Sequence, residues 1–572
     1  MSYFVDCQQS IKMLVAAMRF KQEMAMARTG IGMIASGRRA GTRWWRMMAA
    51  VLAAGTAAVS PVVHVSAQSA EQAVVPARTS VAPQYSRILV RNAMLIDGTG
   101  SPVRGMVDIH VRDGVIVDIR DSAPIRSSTG ALLTHEADAY AVDHVIDAEG
   151  RYVMPGLIDT HAHLYPPTPR DFIYKLFLAH GVTSLRNLDG NFGEGTNVPE
   201  GIVAEKRRIA AGQVVAPRMW VYPFLPDSIK TASQIPPLVK RWHALGVDGI
   251  KLVKVGNQYP DMIRTLGEET RRYGMGLAVH IPQSASPGVN ALVAVENGVT
   301  TIEHHYGYPE IALPNTTIPF MPLTYNYGDE RQRFRETLAI WLQADMEKMK
   351  TVVVPQLVKA SREGRYTMNP TMVVYEKQRD FTRAANVPWL DLYARPSDLQ
   401  RWRTPDPTRH GAIFDRWTSN DEASAAQSYR NWMAFLREYV KQGGHASVGS
   451  DSGGPFQLYG FQTIRELELF LEAGLTPLEV VRAATQGGAR TLQQSNMGVL
   501  RPGFVADMVI VDENPLQDFK VLIGRGPVDG VGKPQRRSRI RSVIVDGRVY
   551  DPDQLLADVE QIVLAERAMT TP

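Results

Sequence analysis

Cysteine is almost absent from this sequence. Its 572 residues include a single cysteine, Cys7. A disulfide framework needs pairs of cysteines, a cysteine hydrolase needs a thiol in its active site, and many structural zinc sites are built on several thiolates. We expect Cys7 to be missing from the working protein, because it lies in a basic leader. The sequence therefore excludes all three classes.

Long apolar runs are also lacking. The run Met47–Val59 is short and rich in alanine, so it does not predict a stable membrane span. Because Arg38 and Arg39 precede it and a small-residue cleavage site ending at Ala67 follows, it predicts an export signal and a periplasmic or secreted protein. Export signals lie near the start of a chain, so we expect translation to begin at an internal methionine such as Met33.

Positive charge is scarce outside that leader. The formal net charge is +5, but residues 1–67 alone hold eight Lys or Arg against two acidic residues, a net of +6. The rest of the chain is close to neutral, so no nucleic-acid surface is predicted. An apolar content of 44% over 572 residues can form a full-size core, typical of one large domain with a smaller one.

Two histidines one residue apart are the most informative feature that is present. Pro155 and Gly156 open a short apolar run that ends in His161-Ala-His163. Alternate residues of a strand share a face, so both imidazoles are predicted on one side. Two imidazoles at a strand end make half a metal site, whereas an isolated pair is as often two surface histidines.

Four more residues that can bind a metal follow at the ends of later apolar segments. They are Lys251 in Gly-Ile-Lys-Leu-Val, His280 in Gly-Leu-Ala-Val-His, His304 in Ile-Glu-His, and Asp451 in Gly-Ser-Asp-Ser-Gly. The last motif superficially suggests a serine nucleophile elbow, but its central residue is an aspartate. Six ligand-type residues in this order are far more specific than any one of them.

In this order the motifs resemble the amidohydrolase superfamily, and within it the imidazolonepropionase-like and Xaa-Pro-dipeptidase-like branch. The resemblance rests on the P-G-x-I-D-x-H-x-H opening, the later I-K, A-V-H, I-E-H and G-S-D-S-G motifs, and the closing stretch Gly498–Pro515. It covers about residues 86–550. By this resemblance the chain is a metal-dependent hydrolase of carbon–nitrogen bonds that acts on a small-molecule substrate.

The resemblance also implies a cofactor and its ligands. Two divalent metal ions would be held, with zinc favoured and manganese, cobalt and iron equally compatible with the ligands. The implied ligands are His161, His163, Lys251, His280, His304 and Asp451. Lys251 would bridge the metals as a carbamate derived from carbon dioxide. Lys254 is its rival, but strand alternation turns only one of the two inward, and the family pattern selects Lys251.

Neighbouring histidines leave further alternatives. Only one of His304 and His305 can share the metal-facing side of a strand, and the family pattern selects His304. His305 is then a substrate contact or a hydrogen-bonding neighbour. His445 is expected to begin a strand and to have no catalytic part.

Asp451 is the predicted catalytic residue. By the resemblance, a metal-bridging hydroxide attacks an amide, dipeptide or N-acyl amino acid, and Asp451 takes the proton and passes it to the leaving amine. The alternatives are a mononuclear cyclic-amidase or lactone and ester hydrolase of the same superfamily, and an inactive binding homologue. Substrate-binding residues and a homo-oligomer are left open.

The fold class is predicted as α/β, a (β/α)8 TIM barrel with a small β-sandwich domain formed from both termini. Strand-like and helix-like segments alternate through the barrel, where ligands follow strand ends. Asp-Gly pairs predict hairpins in the small domain. The expected segments are a leader at 1–67, a linker at 68–85, a composite β domain at 86–152 plus 495–550, a barrel at 153–490, and a C-terminal helix at 551–572.

Two parts of the barrel are less defined by the sequence. Val352–Leu357 and Met368–Tyr375 compete for the seventh strand, and the second is preferred because Ala344–Lys359 can form a helix that ends at Gly364. Long insertions at 306–335 and 376–440 carry aromatic residues that either cover an extended or aromatic substrate or pack onto the barrel. These aromatic residues are Tyr306, Tyr308, Tyr325, Tyr327, Trp389, Tyr393, Trp402 and Trp417.

Overall fold

The computed structural model describes most of the chain that follows the predicted leader. The described residues are 82–122, 142–164, 168–189, 199–253, 260–281, 288–313, 326, 330–404, 417–523 and 539–570. They fall in one compact unit, Val81–Pro572. The leader at 1–67, Lys254, Tyr325 and Tyr327 lie outside the described residues.

Strands and helices alternate through the middle of the described chain. The strands are β1 (Arg87–Leu95), β2 (Arg104–Arg112), β3 (Val115–Asp121), β4 (His144–Asp147), β5 (Tyr152–Pro155), β6 (Leu157–Ala162), β7 (Val182–Asn187), β8 (Arg218–Val221), β9 (Gly249–Leu252), β10 (Gly276–Val279), β11 (Thr301–Glu303), β12 (Thr367–Asn369), β13 (Met508–Val511), β14 (Ile540–Val545) and β15 (Arg548–Tyr550). The α-helices are α1 (Arg170–Ala179), α2 (Glu200–Ala210), α3 (Ile235–Leu245), α4 (Pro260–Arg272), α5 (Ala291–Glu296), α6 (Glu330–Ala339), α7 (Met346–Lys348), α8 (Val354–Arg362), α9 (Met372–Arg379), α10 (Phe381–Ala385), α11 (Leu390–Tyr393), α12 (Pro396–Arg403), α13 (Ser419–Lys441), α14 (Phe461–Glu472), α15 (Pro477–Arg482), α16 (Gly488–Thr491) and α17 (Pro552–Thr570).

An eight-stranded sheet combines segments from both ends of the chain. Its order is β15-β14-β13-β5-β1-β2-β3, with β4 paired to β1. Asp113-Gly114 and Asp546-Gly547 form its two-residue turns, and all four residues have positive φ, as primed hairpin turns require. The hairpins predicted from the Asp-Gly pairs are confirmed. The strands form one hydrogen-bonded sheet, and the sandwich stays a prediction.

The middle of the chain forms parallel sheets. β6, β7 and β8 pair in one, and β9, β10, β11 and β12 pair in the other. Their strands are almost wholly buried, as is typical of parallel strands covered by helices on their outer face. The α/β class with parallel strands is confirmed.

Isolated parallel bridges connect these sheets at their edges. Phe224, just after β8, pairs with Lys251 of β9. Ala446–Ser452 contacts the other two edges, since Ala446 pairs with Met368 of β12 and Ser452 pairs with Ala162 of β6. The first and last predicted ligand segments are therefore neighbours, although they are far apart in sequence.

The prediction for the seventh strand was correct at its start and wrong at its end. β12 covers only Thr367–Asn369, and Met372–Arg379 is helical. Pro370 follows the strand and has no N–H to continue the pairing. The buried carboxylate of Glu466 then accepts hydrogen bonds from the N–H groups of Met372 and Val373, which secures the start of α9.

The competing segment is helical, as predicted. A π-helical turn at Met349–Val353 leads into α8, and Pro355 lies at the start of that helix, where a missing N–H costs little. Gly364 follows the helix with φ of +73°, a conformation that ends a helix and suits glycine.

The C-terminal helix α17 packs against α1. Asp558 from α17 lies 3.0 Å from Nζ of Lys175 on α1, which also pairs with Asp171 at 2.9 Å. Among the described residues, no helix combines the length and hydropathy that a membrane crossing requires.

Gly449 tests the packing of the segment that carries Asp451. A Cβ atom added there would lie 2.6 Å from Cβ of His161 and 2.6 Å from Oδ1 of Asn369. We expect Gly449→Ala to lower the free energy of unfolding by about 1–3 kcal/mol, because overpacking displaces neighbours in a close-packed core. Urea denaturation measures this change.

Gly105→Ala is the matched control, since an added Cβ there meets nothing within 4 Å. An equal and small effect of both substitutions would contradict the close packing of Gly449 against β6.

Candidate metal centre

His161 and His163 share one face, as strand alternation predicts. His161 lies near the end of β6 and His163 just beyond it. Their rings are 5.3 Å apart, and both Nε2 atoms approach Oδ1 of Asp451, at 3.6 Å from His161 and 3.2 Å from His163. The histidine pair and the aspartate therefore come together from the first and last segments of the parallel strands.

His304 and His280 extend the same cluster. The ring of His304 lies 4.9 Å from that of His161 and 4.9 Å from that of His280. Nδ1 of His304 is 3.9 Å from Oδ2 of Asp451. Four histidines and one aspartate, from three strand ends and the segment Ala446–Ser452, thus lie next to one another.

The geometry of this cluster fits a divalent cation. One ligand-type atom from each of His161, His304 and Asp451 lies within 4.8 Å of the others. Bonds of 2.0–2.1 Å to a tetrahedral ion place ligand atoms about 3.4 Å apart, close to the distances between these side chains. Imidazole and carboxylate donors suit zinc, and other first-row divalent metals as well.

Lys251 is the unusual member of the set. It lies on β9 and is 1% exposed, and its Nζ has no hydrogen-bond partner among the described residues. Burial lowers the pKa of Lys251 to about 8, although the charges of Glu303 and Asp451 oppose this shift. A substantial neutral fraction at mildly alkaline pH makes this amine able to react with carbon dioxide.

Asp451 stays ionised at neutral pH. Burial alone would raise its pKa, but His161, His163 and Lys251 hold the pKa well below its ordinary range. Its carboxylate can therefore bind a cation or accept a proton.

The backbone at two of these residues is strained. His304 has φ of +69° and Asp451 has φ of +48°. The left-handed region is costly for residues other than glycine, and such strain gathers at functional sites where the surrounding structure imposes it. Here it turns both side chains toward the cluster at the ends of their strands.

A buried ion pair supports the cluster, and the sequence analysis did not identify it. Oε1 of Glu303 lies 2.9 Å from Nη2 of Arg186, and Oε2 lies 2.6 Å from Nδ1 of His161. Thr301 donates to Glu303 at 2.6 Å. Although burial opposes ionisation, Arg186, Lys251 and His161 hold the pKa of Glu303 far below its ordinary value. The signal in the sequence was a charged residue within each of two apolar strands.

Two further carboxylates act on the histidine segment. Asp159 accepts hydrogen bonds from the backbone N–H groups of His161 and Ser450 and from the hydroxyl of Thr463. Asp189 accepts from the N–H of Leu164. These bonds fix the backbone on both sides of His161-Ala-His163.

His305 does not face the cluster. It is fully buried, and Nε1 of Trp341 donates to its Nδ1 at 3.3 Å. Its ring packs against Tyr306, Tyr375 and Trp432. Burial lowers the pKa of His305 to about 3, so it is a neutral hydrogen-bond acceptor within an aromatic layer.

Most described aromatic residues of the insertions pack inward. Tyr308, Tyr393 and Trp402 are buried, and the ring of Trp389 stacks on Phe461. Tyr306 differs, since its ring lies 4.3 Å from that of His280 and its hydroxyl accepts a bond from Tyr375. The packing interpretation therefore holds for the first four residues, and Tyr306 adjoins the cluster.

Comparisons with known proteins indicate which family this chain resembles. Residues 419–549, which include Asp451, match the model of the amidohydrolase family. A structure of bottromycin amidohydrolase matches with a TM-score of 0.58 and 21% identity, over 85% of this chain and 92% of that one. The resemblance to the amidohydrolases is confirmed.

A second similar structure, a prolidase-like protein from Bifidobacterium longum, matches with a TM-score of 0.52 and 20% identity, over 83% of this chain and 100% of that one. At these identities the structures show a shared fold.

Curated relatives match this amidohydrolase-like chain over shorter stretches. Ochratoxinase of Aspergillus niger is 35% identical over 116 residues, 18% of this chain and 23% of that protein. Imidazolonepropionase of Pyrobaculum arsenaticum is 39% identical over 93 residues, 16% of this chain and 23% of that protein. The chain thus matches less than a quarter of the length of these relatives. The named relatives are hydrolases that act on carbon–nitrogen bonds.

The Arg186–Glu303 pair gives a stability prediction. Arg186→Met leaves the carboxylate of Glu303 buried without its main counter-charge, so we expect the free energy of unfolding to fall by about 3–5 kcal/mol. Arg186→Met combined with Glu303→Gln removes the uncompensated charge and should recover part of that loss. Chemical denaturation of the single and double variants measures both.

Arg112→Gln is the control, because Arg112 is exposed on β2. If Arg186→Met lowered the free energy of unfolding no more than Arg112→Gln does, the buried Arg186–Glu303 pair would not stabilise the fold.

Proposed function

We propose that this protein is a metal-dependent hydrolase that cleaves the carbon–nitrogen bond of an amide, with a dipeptide or an N-acyl amino acid as the favoured substrate. The observation that carries the proposal is the meeting of His161, His304 and Asp451 beside a buried lysine amine that has no hydrogen-bond partner in the described structure. A purely structural cluster has no use for an unpaired, buried Lys251.

We also propose that the parallel strands close into a (β/α)8 barrel. The bridges from β8 to β9, from β12 to Ala446 and from β6 to Ser452 support this closure. In such barrels the chemistry lies at the carboxyl ends of the strands. The six predicted ligands lie within or just beyond the last residues of β6, β9, β10, β11 and the segment that ends at Ser452.

In this proposal the six residues would hold two divalent cations, with zinc favoured. His161, His163, His280 and His304 would supply imidazole nitrogens, Asp451 a carboxylate, and Lys251 a carbamate derived from carbon dioxide. Bound cations of this kind supply an activated water nucleophile and polarise a substrate carbonyl.

Three side chains of the protein have separate roles in the proposed reaction: Glu303, Asp451 and Lys251. Nδ1–H of His161 donates a hydrogen bond to Glu303, which leaves Nε2 of the ring free of a proton and facing Asp451, where it could bind a cation. The ionised carboxylate of Asp451 takes a proton from the nucleophile and returns it to the leaving nitrogen, so one side chain serves as base and then as acid. Neutral Lys251 forms the carbamate, a step that its lowered pKa favours.

The relatives favour an amide over an ester. Similar proteins carry the names ochratoxinase, prolidase and bottromycin amidohydrolase. The similarity to imidazolonepropionase supports the mononuclear cyclic-amidase alternative, in which Lys251 has no part. An inactive binding homologue is disfavoured, because all six ligand-type residues are present. Lactone and ester substrates belong to the same alternative.

We further propose that the protein is exported to the periplasm or secreted, with residues 1–67 as its leader. The support is the basic and apolar pattern of that segment in the sequence. A small molecule that reaches this compartment would be its substrate.

Lys251→Ala tests the proposal directly. We expect the purified wild type to hold two metal ions by elemental analysis, and the variant to lose metal together with turnover of a dipeptide and N-acyl amino acid panel, because the bridging group is gone. Lys359→Ala is the control, since Lys359 is exposed on α8. One metal ion with turnover unaffected by Lys251→Ala would favour the mononuclear alternative.

Asp451→Asn tests the proton transfer. We expect kcat to fall by about 10²–10⁴-fold, the usual contribution of a positioned acid–base group. KM should change far less, because the amide preserves the size of the side chain. Asp391→Asn, at an exposed position, is the control. Turnover within a few-fold of the wild type would exclude Asp451 as the catalytic residue.

A further inference from the structure

A second cavity lies at the opposite ends of the strands from the metal centre. It has a volume of about 530 Å³ and is lined where β10, β11, β12 and the last segment begin, by Met275, Thr300, Thr367 and His445. The predicted ligands His280, His304 and Asp451 follow the far ends of these same segments. The cavity is therefore separate from the proposed reaction site.

Three arginines line this cavity. Arg365 is paired with Glu363 at 2.5 Å. The guanidinium groups of Arg271 and Arg490, both on exposed residues, have no hydrogen bond or ion pair with any residue that the structure describes. Two guanidinium groups are therefore left without a counter-charge around one concave surface.

The charge of Arg490 acts on the pKa of His445, which lines the same cavity. The pKa of His445 falls to about 4, first because of burial and then because of the charges of Arg490, Arg482 and Arg362. Burial and the charge of Arg482 also lower the pKa of Arg490. The charges that act on His445 and Arg490 are those of arginines.

The cavity floor offers polar groups as well as charge. Ser361, Tyr366 and Thr367 line its buried side. A volume of this order suits a small organic ligand, for which pockets span about 300–1,000 Å³. Guanidinium groups match the two oxygens of carboxylates and phosphates.

We propose that this cavity binds a small anionic molecule through a carboxylate or phosphate group, with Arg271 and Arg490 as its main contacts. The inference does not depend on the hydrolase function. The site occupies the face of the strands that does not carry the metal ligands, so its ligand is neither the substrate nor a ligand of the metals.

Calorimetric titration of the full-length, metal-loaded protein with inorganic phosphate and, separately, with succinate tests the proposal and distinguishes the two chemistries. We expect at least one anion to bind, and the combined Arg271→Gln and Arg490→Gln variant to bind it about a hundredfold more weakly, or roughly tenfold per charge-assisted contact. Arg490→Lys, which keeps the charge but loses the fork, should be intermediate. Arg112→Gln should bind like the wild type.

The same experiment includes controls for the folding of the double variant and for the place where the anion binds. Circular dichroism and metal content of the double variant should equal those of the wild type, and its turnover should stay within about twofold. The proposal would be overturned if neither anion bound, or if the double variant bound the anion as the wild type does. Loss of binding in Asp451→Asn would also overturn it, because the anion would then occupy the metal centre. None of these results bears on whether the protein hydrolyses amides.

Discussion

The candidate metal centre depends on the bonds that the buried carboxylate of Glu303 makes. This carboxylate joins three strands, because it binds Arg186 of β7, Nδ1 of His161 on β6 and the hydroxyl of Thr301 on its own strand. An ionised group without solvent is stable only when all of its lone pairs have partners. Each bond therefore constrains a neighbour, and the ring of His161 is held with one nitrogen turned toward Asp451.

The same constraint explains why strain is tolerated near the centre. His304 follows Glu303 directly and takes a left-handed backbone, as does Asp451. The strand pairing and the buried bonds around these residues offset a local cost of about 1–3 kcal/mol each. A rigid, strained frame keeps several polar side chains close together where an unconstrained chain would separate them.

The two ends of the parallel strands carry opposite electrostatics. At one end, carboxylates such as Asp451 and Glu303 are held ionised by surrounding histidines, an arginine and a lysine. At the other end, Arg271, Arg365 and Arg490 line a cavity, and burial together with the charge of Arg490 and two further arginines lowers the pKa of His445. This separation follows from the topology, since parallel strands bring all of their beginnings to one face and all of their ends to the other.

The sequence by itself determined the ligand-type residues, the hairpins at Asp113-Gly114 and Asp546-Gly547, and the α/β class, because spacing, turn chemistry and strand periodicity are local. It did not determine where β12 ends, since the carboxylate of Glu466, nearly a hundred residues away, secures the helix that follows. Only the tertiary structure paired Glu303 with Arg186 and buried Lys251 without a hydrogen-bond partner in the described part of the chain. Burial and long-range contacts set the charge states of these groups, and no local pattern encodes them.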